Sequence, residues 1–393
     1  MYLVSIKSLK PNDILGKAIV SEKGQVLLNK GVKLDEHYIN ILDKYGYQFV
    51  YIEDDDTKDI TVEDDISDEL KTKAIKTIKK VFDIVTPTKD DNVDDFKEII
   101  KKIEKGEIKK KLADSPFIKS IESMSYDIVN SLGDVKVLNG MASLKRQDNF
   151  TYQHCLDVTI LSVALASKLL YTKKRLIELA KGCLLHDIGR ILINKSLYTQ
   201  PRKLSDAEFE LIKKHPQIGY LVLKDVSQVG IIGSHIAYQH HEQQDGLGYP
   251  RGLKGNNLLP VPDKVTEEGY IMPLAEIVCV TNVYDALVSP RAYRSAYTPD
   301  QAFFIMKRMA GKQLNIEAFR VFSDMIPAYP IGTTVYILNG KYKNFIGVVS
   351  KVNQENLTRP TVRLLYNASK RRISPLEIDL MKNPIVNIAG VII

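Results

Sequence analysis

LIELAKGCLLHDIGR (176–190) is the stretch on which the reading of this chain turns. An apolar helix runs into a His-Asp doublet, His186-Asp187, and Gly189 lets the backbone turn immediately afterwards. Outward from the doublet lie His154 on one side and His215 and the adjacent pair His240-His241 on the other. These are five of the seven histidines in the chain, so their clustering is not compositional drift. Imidazoles with a carboxylate suit iron, manganese, zinc or nickel better than magnesium or calcium. Neighbouring ligands such as His240 and His241 can reach one centre only where a helix ends or kinks, and Asp245-Gly246 supplies such a break. A carboxylate placed like Asp187 can bridge two ions about 3.5–4 Å apart, the spacing suited to in-line displacement at phosphorus. The pattern predicts a metal-dependent hydrolase site built on helices.

The bulk numbers fit that reading. At 393 residues, two or three domains are expected, and 44% hydrophobic with 26% charged residues is ordinary for a globular protein. No run reaches the roughly 18–20 apolar residues of a membrane span, and MYLVSIKSLKPND lacks the layout of a signal peptide, so a cytoplasmic protein without membrane insertion is expected. Cys155, Cys183 and Cys279 form no CxxC pair and lie in apolar contexts, which reads as buried core thiols in a reducing compartment. Neither a GxSxG elbow nor a Walker A or Rossmann fingerprint is present. The net charge of +7 is concentrated at the end: from Pro327 onward nine Lys/Arg face three acids. Without interleaved aromatics this basic excess reads as a solvated face, and nucleic acid is not an expected partner.

The period of the apolar residues divides the chain. Residues 1–60 read as a small N-terminal α+β module, with a turn at Lys23-Gly24, a helix near Glu36–Lys44 and a strand-like Phe49–Ile52. EDDDTKDITVEDDI (53–66) holds eight acids in fourteen residues and reads as a solvated linker. Residues 61–115 follow as a charged helical linker. Ile75, Ile78, Phe82 and Val85 lie on one helical face ended by Pro87, and a second helix spans 92–105. Such a pair packs within the chain or supports a homodimer. Residues 116–325 are helical throughout. Residues 326–393 change to strand patterning at 333–338, 346–352 and 361–366, with Asn339-Gly340 as a hairpin turn, and form a small C-terminal β domain. The fold class is therefore mainly α, an all-helical domain flanked by two small modules.

At the level of motifs the chain resembles the HD-GYP domain proteins, a branch of the HD phosphohydrolases that degrades cyclic di-GMP. The matching segments are HCLDVTILSVALA (154–166), GCLLHDIGR (182–190), HPQIGYLVL (215–223), HHEQQDGLGYPRGLKG (240–255) and VYDALVSPRAYR (283–294), within residues 116–325. The resemblance implies an HD-type all-helical metallohydrolase domain with two divalent transition metals, iron or manganese. His154, His186 and Asp187 would hold one ion, and Asp187 would bridge to a second held by His215, His240 and His241. A metal-bound hydroxide would attack phosphorus, turning cyclic di-GMP into pGpG and onward into GMP. Asp187 and Arg190 would serve catalysis, and Arg190, Tyr249, Arg291 and Arg294 would contact substrate. Glu242 and Asp285 would orient the histidines.

Two departures stand out. Asn282 occupies the position of a metal-ligand aspartate, which makes the first site weaker or leaves a single ion. Phe150 occupies the position of a glutamate that supports a third metal in some members, so two ions are the ceiling. The alternative reading is a cyclic-dinucleotide sensor with little or no turnover, and cyclic GMP-AMP is the alternative substrate. The stretch 256–272 reads either as a lid over the pocket or as a surface loop. His235 reads either as support for the His pair or as structural, and His37 as structural.

Overall fold

The computed structural model describes residues 1–20, 26–86, 96–133, 137–138, 150–194, 196–199, 202–262, 267–290 and 296–391. The N-terminal module contains β1 (Tyr2–Ser5), β2 (Ile14–Leu15), β3 (Ile19–Val20), β4 (Val26–Leu28), α1 (Glu36–Lys44) and β5 (Phe49–Glu53). β5 lies between β1 and β2, both antiparallel to it, and β3 pairs with β4. Asp35 caps α1 by accepting from the Tyr38 amide. The turn expected at Lys23-Gly24 lies outside the described residues.

Helices then continue as α2 (Asp68–Val85), α3 (Phe96–Glu104), α4 (Glu107–Asp114), α5 (Pro116–Leu132), α6 (Phe150–Lys168), α7 (Lys173–Leu185), α8 (Ser196–Thr199), α9 (Asp206–Ile212), α10 (His215–Leu223), α11 (Gly230–Gln239), α12 (Pro273–Val288), α13 (Pro299–Met309) and α14 (Ile316–Ser323). α6 is buried on every side from His154 to Ala166, which makes it the central helix, since a helix without a solvated face must be enclosed. α7 and α12 pack against it, and the core they share extends into α2 and α5.

Of the two alternatives for the linker helices, packing within the chain is the one seen. Ile78, Val81 and Phe82 of α2 are fully buried in the same core as α6, and the Phe82 ring meets Tyr152 edge-on at 5.4 Å. The apolar face that suggested a homodimer is therefore consumed within the chain. The acidic run 53–66 keeps several acids exposed, Asp55, Asp59 and Glu63 among them, but it is not a free linker. Thr57, Ile60 and Ile66 are buried, and Ile60 packs on Val348 and Leu365 of the C-terminal domain.

That domain is an antiparallel five-stranded sheet of β6 (Thr334–Ile337), β7 (Ile346–Lys351), β8 (Thr361–Tyr366), β9 (Arg372–Asp379) and β10 (Ile388–Val391), in the order β10-β6-β7-β8-β9. Its basic excess is met by the acidic run. Arg363 reaches both carboxylate oxygens of Asp59 at 2.6 and 2.7 Å and also Glu377, while Arg372 reaches Asp54 at 2.7 Å and Asp56. Two arginines of the basic segment and three aspartates of the acidic run are thus partners. Asn339-Gly340 does not make a two-residue hairpin. β6 and β7 close through a longer loop, because the Asn339 side chain is used to bond Ile385 and Asn387 beside β10. No helix among the described residues is long and apolar enough to cross a membrane.

Candidate metal centre

Four helical segments converge on one point. His154 projects from the second turn of α6, and His186 is the residue at which α7 ends. Asp187 opens the tight 3-10 turn Ile188–Leu192. This turn runs against α10 so closely that a β-carbon on Gly189 would lie 2.1 Å from the His215 carbonyl oxygen; only glycine fits there. His215 begins α10, and α11 ends at Gln239, so His240 and His241 leave the helix together and both turn inward.

Asp187 stands between two groups of imidazoles. Its Oδ2 faces His154 Nε2 at 3.7 Å and His186 Nε2 at 3.9 Å. Its Oδ1 faces His215 Nε2 at 3.2 Å and His240 Nε2 at 3.7 Å. Two compact ligand sets result, His154 with His186 and Asp187, and His215 with His240 and His241.

The tautomers are fixed from behind. Nδ1 of His186 lies 2.7 Å from the Cys183 carbonyl, Nδ1 of His215 2.7 Å from the Ile212 carbonyl and Nδ1 of His240 2.9 Å from the Ala237 carbonyl. Nδ1 of His154 lies 2.6 Å from Asp285 Oδ2. A carbonyl or carboxylate oxygen only accepts, so each Nδ1 carries the proton and each neutral ring turns a bare Nε2 lone pair to the centre. His215 Nε2 and His240 Nε2 face each other at 3.1 Å, and the buried His186 Nε2 has no hydrogen-bond partner. Inward lone pairs at such spacing repel unless a cation lies among them, and a histidine whose other nitrogen is anchored is the usual arrangement of a metal ligand. The donor set therefore fits divalent transition metals.

Electrostatics agree. Burial pushes His186 down to about 3 and His215 down to about 4, and holds His241 well below the usual imidazole range, so these rings are neutral. Burial pushes the Asp187 carboxyl up, but the Arg190 guanidinium beside it works the other way, and the group is held well below the usual carboxylate range. Arg190 donates to Asp187 Oδ2 at 2.6 Å and rests on the Tyr198 ring at 4.4 Å.

The remaining expected residues fall as follows. Tyr249 stacks on His241 with ring centres 4.7 Å apart, and its amide donates to the His241 carbonyl. Asn282 is buried on α12, one turn before Asp285, and Phe150 stacks on the His154 ring. Arg291 and Arg294 lie outside the described residues. Glu242 does not orient a histidine. Its carboxylate accepts from the Arg251 and Leu253 amides, both at 2.8 Å, and so shapes the loop after Gly248-Tyr249-Pro250. His235 sits between Tyr220 and Tyr238, with its Nδ1 3.4 Å from Gln239 Nε2. All three cysteines are buried with thiols pushed up, Cys183 to about 12, so they are inert core groups. At the start of 256–272, Asn257 bonds the Gly311 carbonyl and Asn315 bonds the Leu258 carbonyl, which fastens this part to the turn between α13 and α14 as a surface loop; residues 263–266 lie outside the described set. Three residues near the centre carried no signal in sequence: Tyr198 under Arg190, Gln244 bridging Glu276 and the Asn257 amide, and Lys213 beside Tyr249.

A helical bundle that gathers these imidazoles around one carboxylate defines a metal-centre domain of the His-Asp type. Residues 136–316 match the HD domain family model, and residues 342–393 match the KOW domain associated with HD domain. The chain is 32% identical over 244 residues to the cyclic di-GMP phosphodiesterase PA4108 of Pseudomonas aeruginosa, covering 62% of this chain and 55% of that protein. It is 39% identical over 140 residues to the cyclic di-GMP phosphodiesterase response regulator RpfG of Xanthomonas campestris, covering 35% and 33%. It is 27% identical over 181 residues to the 3'3'-cGAMP-specific phosphodiesterase 3 of Vibrio cholerae, covering 46% and 36%. The chain thus spans about half or less of the length of these relatives. Among solved structures, Bd1817, an HDG"Y"P protein from Bdellovibrio bacteriovorus, aligns over 82% of this chain and 98% of its own at 19% identity and a TM-score of 0.42, too loose a likeness to carry an argument.

Proposed function

We propose that this chain is a metal-dependent phosphodiesterase that opens cyclic di-GMP to pGpG and carries it onward to GMP. The observation that carries this reading is Asp187, with one oxygen turned to each of two imidazole sets in which His154, His186, His215 and His240 present Nε2 to it. The names of the relatives support a cyclic dinucleotide as substrate.

His154, His186 and Asp187 would hold one ion, and His215, His240 and His241, with Asp187 shared, the other. Iron or manganese suits this nitrogen-rich set. Two divalent ions supply, when bound, positive charge for the attacking and leaving oxygens of a displacement at phosphorus. The chain's own residues do the rest. Asp285 holds the His154 ring by its Nδ1 proton. Arg190 can carry its charge from Asp187 to a phosphate oxygen in two-point fashion. Tyr249, backed by His241, forms one wall at the mouth. Arg291 and Arg294 are the further phosphate contacts of this reading.

The test is anaerobic purification with metal analysis, then incubation with cyclic di-GMP and chromatography of the products. Close to two metals per chain with pGpG or GMP is the expected result. At most one metal, tight binding and no product would favour a sensor, the second reading that Asn282 supports, because a buried neutral amide stands where a charged ligand is expected.

A further inference from the structure

We propose that Lys213 holds the phosphodiester of the cyclic dinucleotide that is not being cleaved. This rests on the substrate reading above and adds to it a residue that neither motif nor family resemblance points to.

A cyclic dinucleotide carries two phosphodiesters on opposite sides of one ring. When one lies at the Asp187 centre the other must lie beside it, and its charge needs a cation. Arg190 lies on the Oδ2 side of Asp187, toward His154 and His186, and with Arg291 and Arg294 is assigned above to the reacting phosphate. Lys213 lies at the other end. It follows α9 directly and precedes His215 by two residues, so the backbone that places a ligand also places this ammonium. Its Nζ lies 5.9 Å from the centre of the Tyr249 ring, which in turn stacks on His241. Reading outward from the His215, His240 and His241 set, the sequence of groups is imidazole, phenol, ammonium.

The present partner of Lys213 does not hold it firmly. It bonds Glu210, whose side chain is 61% exposed, and lies over the half-exposed Phe209 ring at 5.1 Å, and surface contacts of this kind contribute little. The Lys213 side chain keeps some access to solvent at 29% exposure and can exchange Glu210 for a phosphate oxygen. A flexible ammonium suits a phosphate that must be held without being aligned for reaction, whereas the forked guanidinium suits the reacting one.

The test uses the full metal-loaded chain as wild type, Lys213→Met and Lys213→Arg. Each is measured on cyclic di-GMP and on bis(p-nitrophenyl) phosphate, which has a single phosphodiester. Lys213→Met should raise KM for cyclic di-GMP by about tenfold with kcat changed little, leave bis(p-nitrophenyl) phosphate cleavage as in wild type, and be rescued by Lys213→Arg. Equal kinetics on cyclic di-GMP, or equal losses on both substrates, would overturn the assignment. If wild type cleaves only the single diester, calorimetric affinity for cyclic di-GMP decides. A roughly tenfold loss in Lys213→Met supports the proposal, and unchanged affinity overturns it. Neither turnover nor binding of cyclic di-GMP by wild type would overturn the substrate reading and this proposal together.

Discussion

His154 Nδ1 and Asp285 Oδ2 lie 2.6 Å apart, both buried, with Ser289 Oγ 3.3 Å from the same carboxylate oxygen. The carboxylate fixes which nitrogen of His154 carries the proton and raises the basicity of the other. Asp285→Asn should weaken binding of the more labile metal by roughly 10–100-fold without unfolding the chain, as loss of such partners does elsewhere. Metal titration of the variant followed by circular dichroism checks both halves; unchanged affinity would remove Asp285 from the account.

The helix that precedes the metal domain is part of its core. Phe82→Ala should cost about 3–5 kcal/mol, because the ring is fully buried and its neighbours on α6 cannot close the void. Denaturant unfolding should show this loss in the transition of the whole helical domain. A small loss confined to a separate, earlier transition would mean that α2 is an independent unit.

The contact between Arg363 and Asp59 should make the seat of the C-terminal sheet sensitive to ionic strength. Arg363→Ala should cost up to about 1 kcal/mol, since Asp59 is largely exposed and solvent screens the pair. Chemical denaturation at low and high salt checks it, since the gap between variant and wild type should narrow as salt rises. A gap independent of salt would assign the loss to packing instead.

Protonation should oppose folding of the metal-free protein. His186 and His215 sit at about 3 and about 4 when folded, against about 6.5 for a free imidazole. Their contribution is fully present above pH 6.5. As pH falls below that value the unfolded chain gains protons that the folded chain refuses, so stability is lost progressively toward pH 3–4. Tm of chelator-treated protein between pH 8 and pH 5 should be level at the upper end and fall through the lower. A Tm that rises on acidification would contradict neutral, buried rings.

The gathering of these imidazoles about Asp187 was legible in sequence because rare residues were set at helix ends, as His186-Asp187 with Gly189 and His240-His241 with Asp245-Gly246 show. The helical character of most of 116–325 was legible from its period, but 240–272, expected to be helical too, holds no helix among its described residues, because its glycines and prolines shape a loop instead. The docking of the acidic run was not. Its partners Arg363 and Arg372 lie about three hundred residues away, and a local reading meets each charge cluster alone. β9 was missed for a related reason: it is an edge strand, mostly exposed and containing Pro375, so it lacks the alternation of a half-buried strand. Glu242 was misplaced because its two bonds run to backbone amides of a loop, which no residue pattern advertises.

The claim on which the account depends is that Asp187 ties the two ligand sets into one hydrolytic centre. The direct measurement is metal content together with cyclic di-GMP turnover for Asp187→Asn beside wild type, purified anaerobically in parallel. The account predicts that the variant loses at least one metal per chain and at least about 1000-fold in turnover while its fold and melting profile persist, a loss of about 4 kcal/mol in transition-state stabilisation. A variant that keeps wild-type turnover, or that loses turnover with both metals fully retained and cyclic di-GMP no longer bound, would contradict it.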